Sequence, residues 1–151
     1  MANKMRLEIA ARSENESFAR SAVAAFALPL NPSVSALSDV KTAVSEAVTN
    51  CIVHAYRDSD LTEEEKRVVI EATTRREDGR GVLHIEIKDF GRGIDDLSKA
   101  LLPFYTTLEE EERSGMGFTV MQAFMDEFDV QSEAGKGTCV TLKKIFDEDG
   151  E

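Results

Sequence analysis

The chain has 151 residues, 42% of them hydrophobic and 31% charged, the balance of one folded domain rather than a disordered segment. Its 18 basic and 29 acidic residues leave a net charge of −11, which argues against a direct nucleic-acid partner, because that role requires Lys and Arg to neutralise phosphates. A basic protein partner is more compatible, and without a run of about 18 apolar residues no membrane span is expected.

The opening "MRLEIAA" alternates Met5, Leu7 and Ile9 with polar residues and reads as a strand. It lacks an apolar signal core, so the protein is expected in the cytoplasm. In "NESFARSAVAAFALPL", Phe18, Ala22 and Phe26, with Ala19 and Val23, fall at helical spacing until Pro29 and Pro32 break the pattern. "SALSDVKTAVSEAVTNCIVHAY" is the strongest helix, with Leu37, Val40, Val44, Ala47, Val48, Cys51 and Ala55 in one stripe. "KRVVIEATTRRE" and "VLHIEIKDF" alternate with period two and flank "DGRG", which predicts a hairpin. The stretch 89–117 reads as irregular, with a short helix near "DLSKALL". "GFTVMQAFMDEF" follows as a helix, and "FDVQSEAGKGTCVTLKKIF" as a second hairpin turning at "AGKG".

Helices and hairpins are segregated along the chain rather than alternating as βαβ units. That order predicts an α+β sandwich, one sheet with helices on one face. Residues 1–146 are expected to form a single domain, and 147–151 an acidic tail. The acidic runs "TEEEKR", "EEEERS" and "DEDGE" are expected on solvated loops and that tail. Cys51 and Cys139 both sit in apolar patterns and read as reduced core thiols.

Four short stretches carry candidate chemistry. Glu46 and Asn50 are four residues apart, hence about 40° apart around a helix, and roughly opposite the apolar stripe. A carboxylate and a carboxamide projecting together suit Mg²⁺, and the carboxylate can take a proton from a hydroxyl. "DFGRGI" ends a strand, and Gly91 and Gly93 let the backbone turn tightly beside a ligand. In "RSGMGFTVMQAF", Gly115 and Gly117 precede a helix whose N-terminus offers free N–H groups to phosphates. In "AGKGTCVTL", Gly135 and Gly137 make a turn and Thr138 opens the last strand. The Asp-Phe-Gly of "KDFGRGI" invites comparison with protein kinases, but the chain has no upstream Gly-rich loop, no VAIK lysine and no HRD loop. It also lacks the P-loop and dinucleotide patterns.

In their order, the four stretches resemble the boxes of the GHKL superfamily of ATPases and kinases over roughly residues 35–145. "SEAVTNCIVHAY" looks like the N box, "DFGRGI" the first glycine box, "PFYTTLEEEERSGMGFTVMQAF" the lid and second glycine box, and "GKGT" the closing Gly-Thr. The whole chain is similar to the bacterial anti-sigma factor serine kinases, and to their anti-sigma F branch in particular. The ATPase domain stands without a histidine-bearing helix, and Glu46 occupies the base position.

The resemblance implies a two-layer sandwich with a mixed, mainly antiparallel sheet and a mobile ATP lid over about Ser98 to Ser114. It implies ATP and Mg²⁺ as ligands. By residue match, Asp89 reads the adenine amino group, Gly93 gives base and sugar room, and Thr138 supports the same end. Asn50 holds Mg²⁺ and Glu46 is the general base. Gly115 and Gly117, with the Met116 backbone between them and Ser114 before them, cradle the β- and γ-phosphates. The implied reaction transfers the γ-phosphoryl of ATP to a serine of an anti-anti-sigma factor of the stage II sporulation protein AA type. The implied binding activity sequesters sigma factor F, and the implied assembly is a homodimer. Arg20, off the apolar stripe of the first helix, is a candidate partner contact, and His54 fits the N-box spacing as a packed or capping histidine. Two alternatives remain open: a nucleotide-gated binding module for a related stress sigma factor, and a detached histidine-kinase ATPase domain.

Overall fold

The computed structural model describes residues 2–94, 101 and 117–147. Period-two patterning sets its five strands: β1 (Asn3–Ala10), β2 (Arg67–Glu77), β3 (Arg80–Asp89), β4 (Glu127–Glu133) and β5 (Gly137–Phe146). Between β2 and β3 stand only Asp78 and Gly79, both with positive φ (51° and 80°). That two-residue Asp-Gly turn has the twist a hairpin requires. The sheet order is β1-β2-β3-β5-β4, and every neighbouring pair of described strands is antiparallel.

Three helices accompany the sheet: α1 (Glu14–Ala27), α2 (Val34–Asn50) and α3 (Gly117–Phe124). Ser33 caps α2, its Oγ accepting from the Ala36 N–H at 3.0 Å. At its other end α2 widens into a single π-helical turn, Cys51–Ala55. Val40, Ala43, Val44, Ala47 and Val48 of α2 share the core with Ile70, Leu83, Ile85, Ile87, Leu142 and Phe146 of the sheet. Helix α2 packs against both α1 and α3. The expected α+β sandwich is therefore present, with helices on one face.

Two expectations shift. The stripe of α1 is not the phenylalanine one. Ala19, Val23, Ala24 and Ala27 are buried, while Phe18 is 53% exposed and Ala22 and Phe26 are half-buried. Small residues let α1 approach α2 closely, so the contact face is rotated about one residue from the bulkier pattern. Nor are both thiols in the core. Cys51 is buried, but Cys139 is opposite Lys88 and Gln131 on the helix-free face, half-buried. That face is polar, as in the Lys88–Glu71 pair at 2.8 Å. The acidic run at Glu63–Glu65 is exposed, as expected. The short helix near "DLSKALL", the run "EEEERS" and the tail after Asp147 lie outside the described residues, Leu101 apart.

Candidate functional site

The site begins where α2 ends. Glu46 and Asn50 are half-buried, one turn apart, facing the first residue of α3. A Cβ built on Gly117 would lie 3.3 Å from Asn50 Nδ2, 3.5 Å from Glu46 Oε1 and 3.6 Å from Asn50 Oδ1. The fold thus joins two boxes far apart in sequence, and sets a carboxylate and a carboxamide beside the positive end of a helix. They do not project into open solvent from a bare helix face, because α3 covers them. Oxygen donors of this kind fit a hard cation such as Mg²⁺ held next to phosphate.

One residue further on, the chain turns to the other wall of the site. Cys51 faces inward, and the carboxylate of Asp89 at the end of β3 lies within electrostatic reach of its thiol. Asp89 is 7% exposed, one of two buried polar residues among those described. Its Oδ1 accepts from the Gly91 N–H at 3.0 Å and from the Thr138 N–H at 3.3 Å, so both backbone donors reach the same oxygen. Burial pushes the Asp89 carboxyl above its ordinary range, and the Gly91 and Thr138 N–H groups, with the Cys51 thiol, only partly offset it. Burial, followed by the Asp89 charge, pushes the Cys51 thiol well up.

The glycines differ in what they make possible. At Gly91 a Cβ would lie 2.0 Å from the Ala55 carbonyl oxygen, which accepts from the Arg92 N–H at 2.8 Å. The π turn thus presents a carbonyl to the loop after β3, and only glycine fits there. Gly93 adopts φ +76°, and a Cβ on it would lie 2.3 Å from the Glu133 carbonyl oxygen. Its room is used in docking that loop onto the β4–β5 turn, where the Gly135 N–H also donates to the Arg92 carbonyl at 2.8 Å.

Several participants were not singled out from the sequence. From the sequence Gly137 reads only as a turn residue, yet it packs directly on the Asp89 backbone. Buried Tyr56 carries a hydroxyl that accepts from the Phe90 N–H at 2.8 Å and the Arg67 N–H at 3.3 Å while donating to the Arg67 carbonyl. It ties the start of β2 to the residue after Asp89. Ser132 lies opposite Thr138 in the β4–β5 register, their hydroxyls 2.9 Å apart. That last pairing was within reach of the sequence, since hairpin arithmetic around "AGKG" sets the two hydroxyls opposite one another. His54 sits half-buried in the π turn. Arg20 is paired with Glu16 at 2.8 Å, and the same Glu16 oxygen accepts from Ser45 Oγ of α2 at 2.7 Å. Ser114, Gly115, Met116 and, apart from Leu101, the lid segment 98–114 lie outside the described residues.

The chain matches known proteins in sequence and in fold. Residues 9–144 match the family model of the histidine kinase-like ATPase domain. The chain is 51% identical over 144 residues to an anti-sigma F factor of Caldanaerobacter subterraneus subsp. tengcongensis, covering 95% of this chain and 94% of that one. To the anti-sigma F factor of Geobacillus stearothermophilus it is 49% identical over 148 residues, covering 98% and 96%. Among solved structures it resembles the RsbU and RsbW domains of Rv1364c from Mycobacterium tuberculosis, with a TM-score of 0.62 at 18% identity. That match covers 94% of this chain but 32% of the longer one, and speaks to fold alone.

Proposed function

The chain belongs to the anti-sigma F factors, built on the histidine kinase-like ATPase domain, and from that premise we propose that it is an ATP-dependent protein-serine kinase that also sequesters a sigma factor. The observation that carries the reading is the convergence of Glu46 and Asn50 on Gly117 at the start of α3, in a fold that also buries Asp89 at the end of β3.

In this reading Asp89 accepts the exocyclic amino group of adenine. A carboxylate there disfavours guanine, whose carbonyl would face a like acceptor. Asn50 holds Mg²⁺, which when bound neutralises charge on the phosphates. Gly115 and Gly117, with Ser114 and Met116, cradle the phosphate chain. Glu46 takes the proton of the incoming serine hydroxyl. Phosphoryl transfer needs mainly positioning and charge stabilisation, so one carboxylate, one carboxamide and backbone N–H groups suffice.

The protein substrate is an anti-anti-sigma factor, the sequestered partner is sigma factor F, and the working form is a cytoplasmic homodimer. The net charge of −11 suits a basic surface on the sigma factor. Arg20, its side chain 37% exposed and steadied by Glu16, is the partner contact on α1.

The test is incubation with Mg-ATP and the anti-anti-sigma factor, followed by acid-stable phosphoserine detection. Wild type should label the substrate, and Glu46→Gln should slow transfer by about 10²- to 10⁴-fold while still binding ATP. Normal labelling by the variant removes the base assignment. Wild-type binding of sigma factor without any phosphoserine leaves a nucleotide-gated binding module instead.

A further inference from the structure

The helix face of β5 carries a charge among its apolar residues. Leu142 and Phe146 are fully buried there, and Lys144 stands between them, opposite buried Leu83 of β3. An ammonium in that position is costly unless acceptors meet it. Lys144, its side chain 13% exposed, meets two, and they belong to different helices. Its Nζ donates to the carbonyl of Phe124, the last residue of α3, at 2.6 Å and to Asp39 Oδ2 of α2 at 3.3 Å.

We propose that Lys144 is a positioning residue for the phosphates of the nucleotide, acting from the far end of α3. The inference rests on the reading of the start of α3 as the phosphate end of the site.

The two helices are tied to one another at both ends. Gly117 opens α3 against Glu46 and Asn50, near the end of α2. Phe124 closes α3, and Lys144 carries that end to Asp39, near the start of α2. The helices therefore run antiparallel. Asp39 to Asn50 covers about 16 Å along α2, and Gly117 to Phe124 about 10 Å along α3. The lysine side chain spans the difference. A cation is also the favoured charge at a helix C-terminus, where the last carbonyls lack partners. Beyond Phe124, the Asp126 N–H donates to the Lys143 carbonyl at 2.9 Å, and Asp126 Oδ2 accepts from the Ile145 N–H at 2.7 Å. Those bonds hold the chain to β5, and Lys144 adds the link to α2.

The link matters because the N–H groups at a helix start point along the helix axis, so their aim depends on the tilt of the whole helix. Fully buried Met121 packs the middle of α3 into the core, but apolar contact is non-directional. The Lys144 bonds fix the far end, and with it the direction. Loss of Lys144 should therefore be felt by the phosphates of a ligand and not by its base.

The experiment measures binding of Mg-ATP and of adenosine to wild type, Lys144→Met, Lys144→Arg and Asp39→Ala, well below the unfolding temperature of each. Wild type should prefer ATP. In Lys144→Met that preference should shrink by about ten-fold at unchanged adenosine affinity, the worth of one hydrogen bond to a charged group. Lys144→Arg, which keeps the cation, should retain it. Asp39→Ala leaves the Phe124 carbonyl capped but cuts the link to α2, and should shrink the preference in the same direction. Adding Asp39→Ala to Lys144→Met should then cost nothing further, since both remove one link. Equal weakening of both ligands by Lys144→Met, with the preference kept, marks a merely structural lysine and overturns the proposal. So does an Asp39→Ala variant with the full preference intact. A wild type without any preference for ATP instead overturns the phosphate reading of α3 on which the inference rests.

Discussion

Gly137 stands so close to Asp89 that a Cβ on it would lie 2.2 Å from the Asp89 carbonyl oxygen. Its φ of +120° is a backbone state that L side chains rarely adopt. Gly137→Ala therefore combines a backbone clash with backbone strain, and should lower stability by about 2–4 kcal/mol. Chemical denaturation checks this. ATP binding should weaken in parallel, because the displaced segment carries the Thr138 N–H that holds Asp89. A variant as stable as wild type would show that β5 can shift away from β3 at no cost.

Asp89→Asn should abolish or greatly weaken ATP binding even without Mg²⁺, in a protein that still folds. Loss of metal-dependent transfer with binding intact would instead return Asp89 to the metal. The pH dependence carries a sign of its own. Because burial raises the folded-state pKa of Asp89 above its unfolded value, the neutral carboxyl is the form the fold prefers. The associated stability is present below the ordinary carboxylate range, near pH 4, and is lost as pH rises through the raised value. Asp89→Asn should thus be more stable than wild type near neutrality, with the difference shrinking on acidification. ATP binding by wild type should fall over the same window, as the carboxylate is neutralised. Thermal melts and titrations across that range test both trends.

Removing one hydroxyl from Tyr56 should be felt at two strands. Tyr56→Phe strips the acceptor from the Phe90 and Arg67 N–H groups. Leaving such a donor unmet costs about 1–3 kcal/mol. Denaturant unfolding should report that loss, and amide exchange should quicken at Phe90 first. Unchanged exchange there would mean that another group takes over the N–H.

The two thiols should label in a fixed order. Alkylation proceeds through the thiolate, and burial pushes both thiols above their ordinary value, Cys51 furthest. Near neutral pH, iodoacetamide should modify native Cys139 slowly and Cys51 only as fast as the protein unfolds. Peptide mass spectrometry reads the order, and labelling of Cys51 before Cys139 would contradict the packing of the π turn against Asp89.

Periodicity made the strands, the two long helices and both hairpins legible in the sequence, because apolar spacing of two or about 3.6 directly reports which face is buried. The spacing of Glu46 and Asn50, and the glycines at positions 91, 93 and 117, were legible for the same local reason: each is set by the geometry of a single element. Where patterns compete, one chain could not decide. On α1 the phenylalanines and the alanines both keep helical spacing, and only the approach of α2 selects the alanine face. Cys139 sits in an apolar run, yet its side of the sheet depends on register with β3. Tyr56 and Ser132 take their places from contacts across 11, 34 and 38 positions of sequence, and Gly137 from its packing on the Asp89 backbone of another strand. The sequence by itself determined the elements and the chemical alphabet of the site. The tertiary structure decided which letters meet, because hydrogen-bond direction and steric room exist only between elements once they are packed.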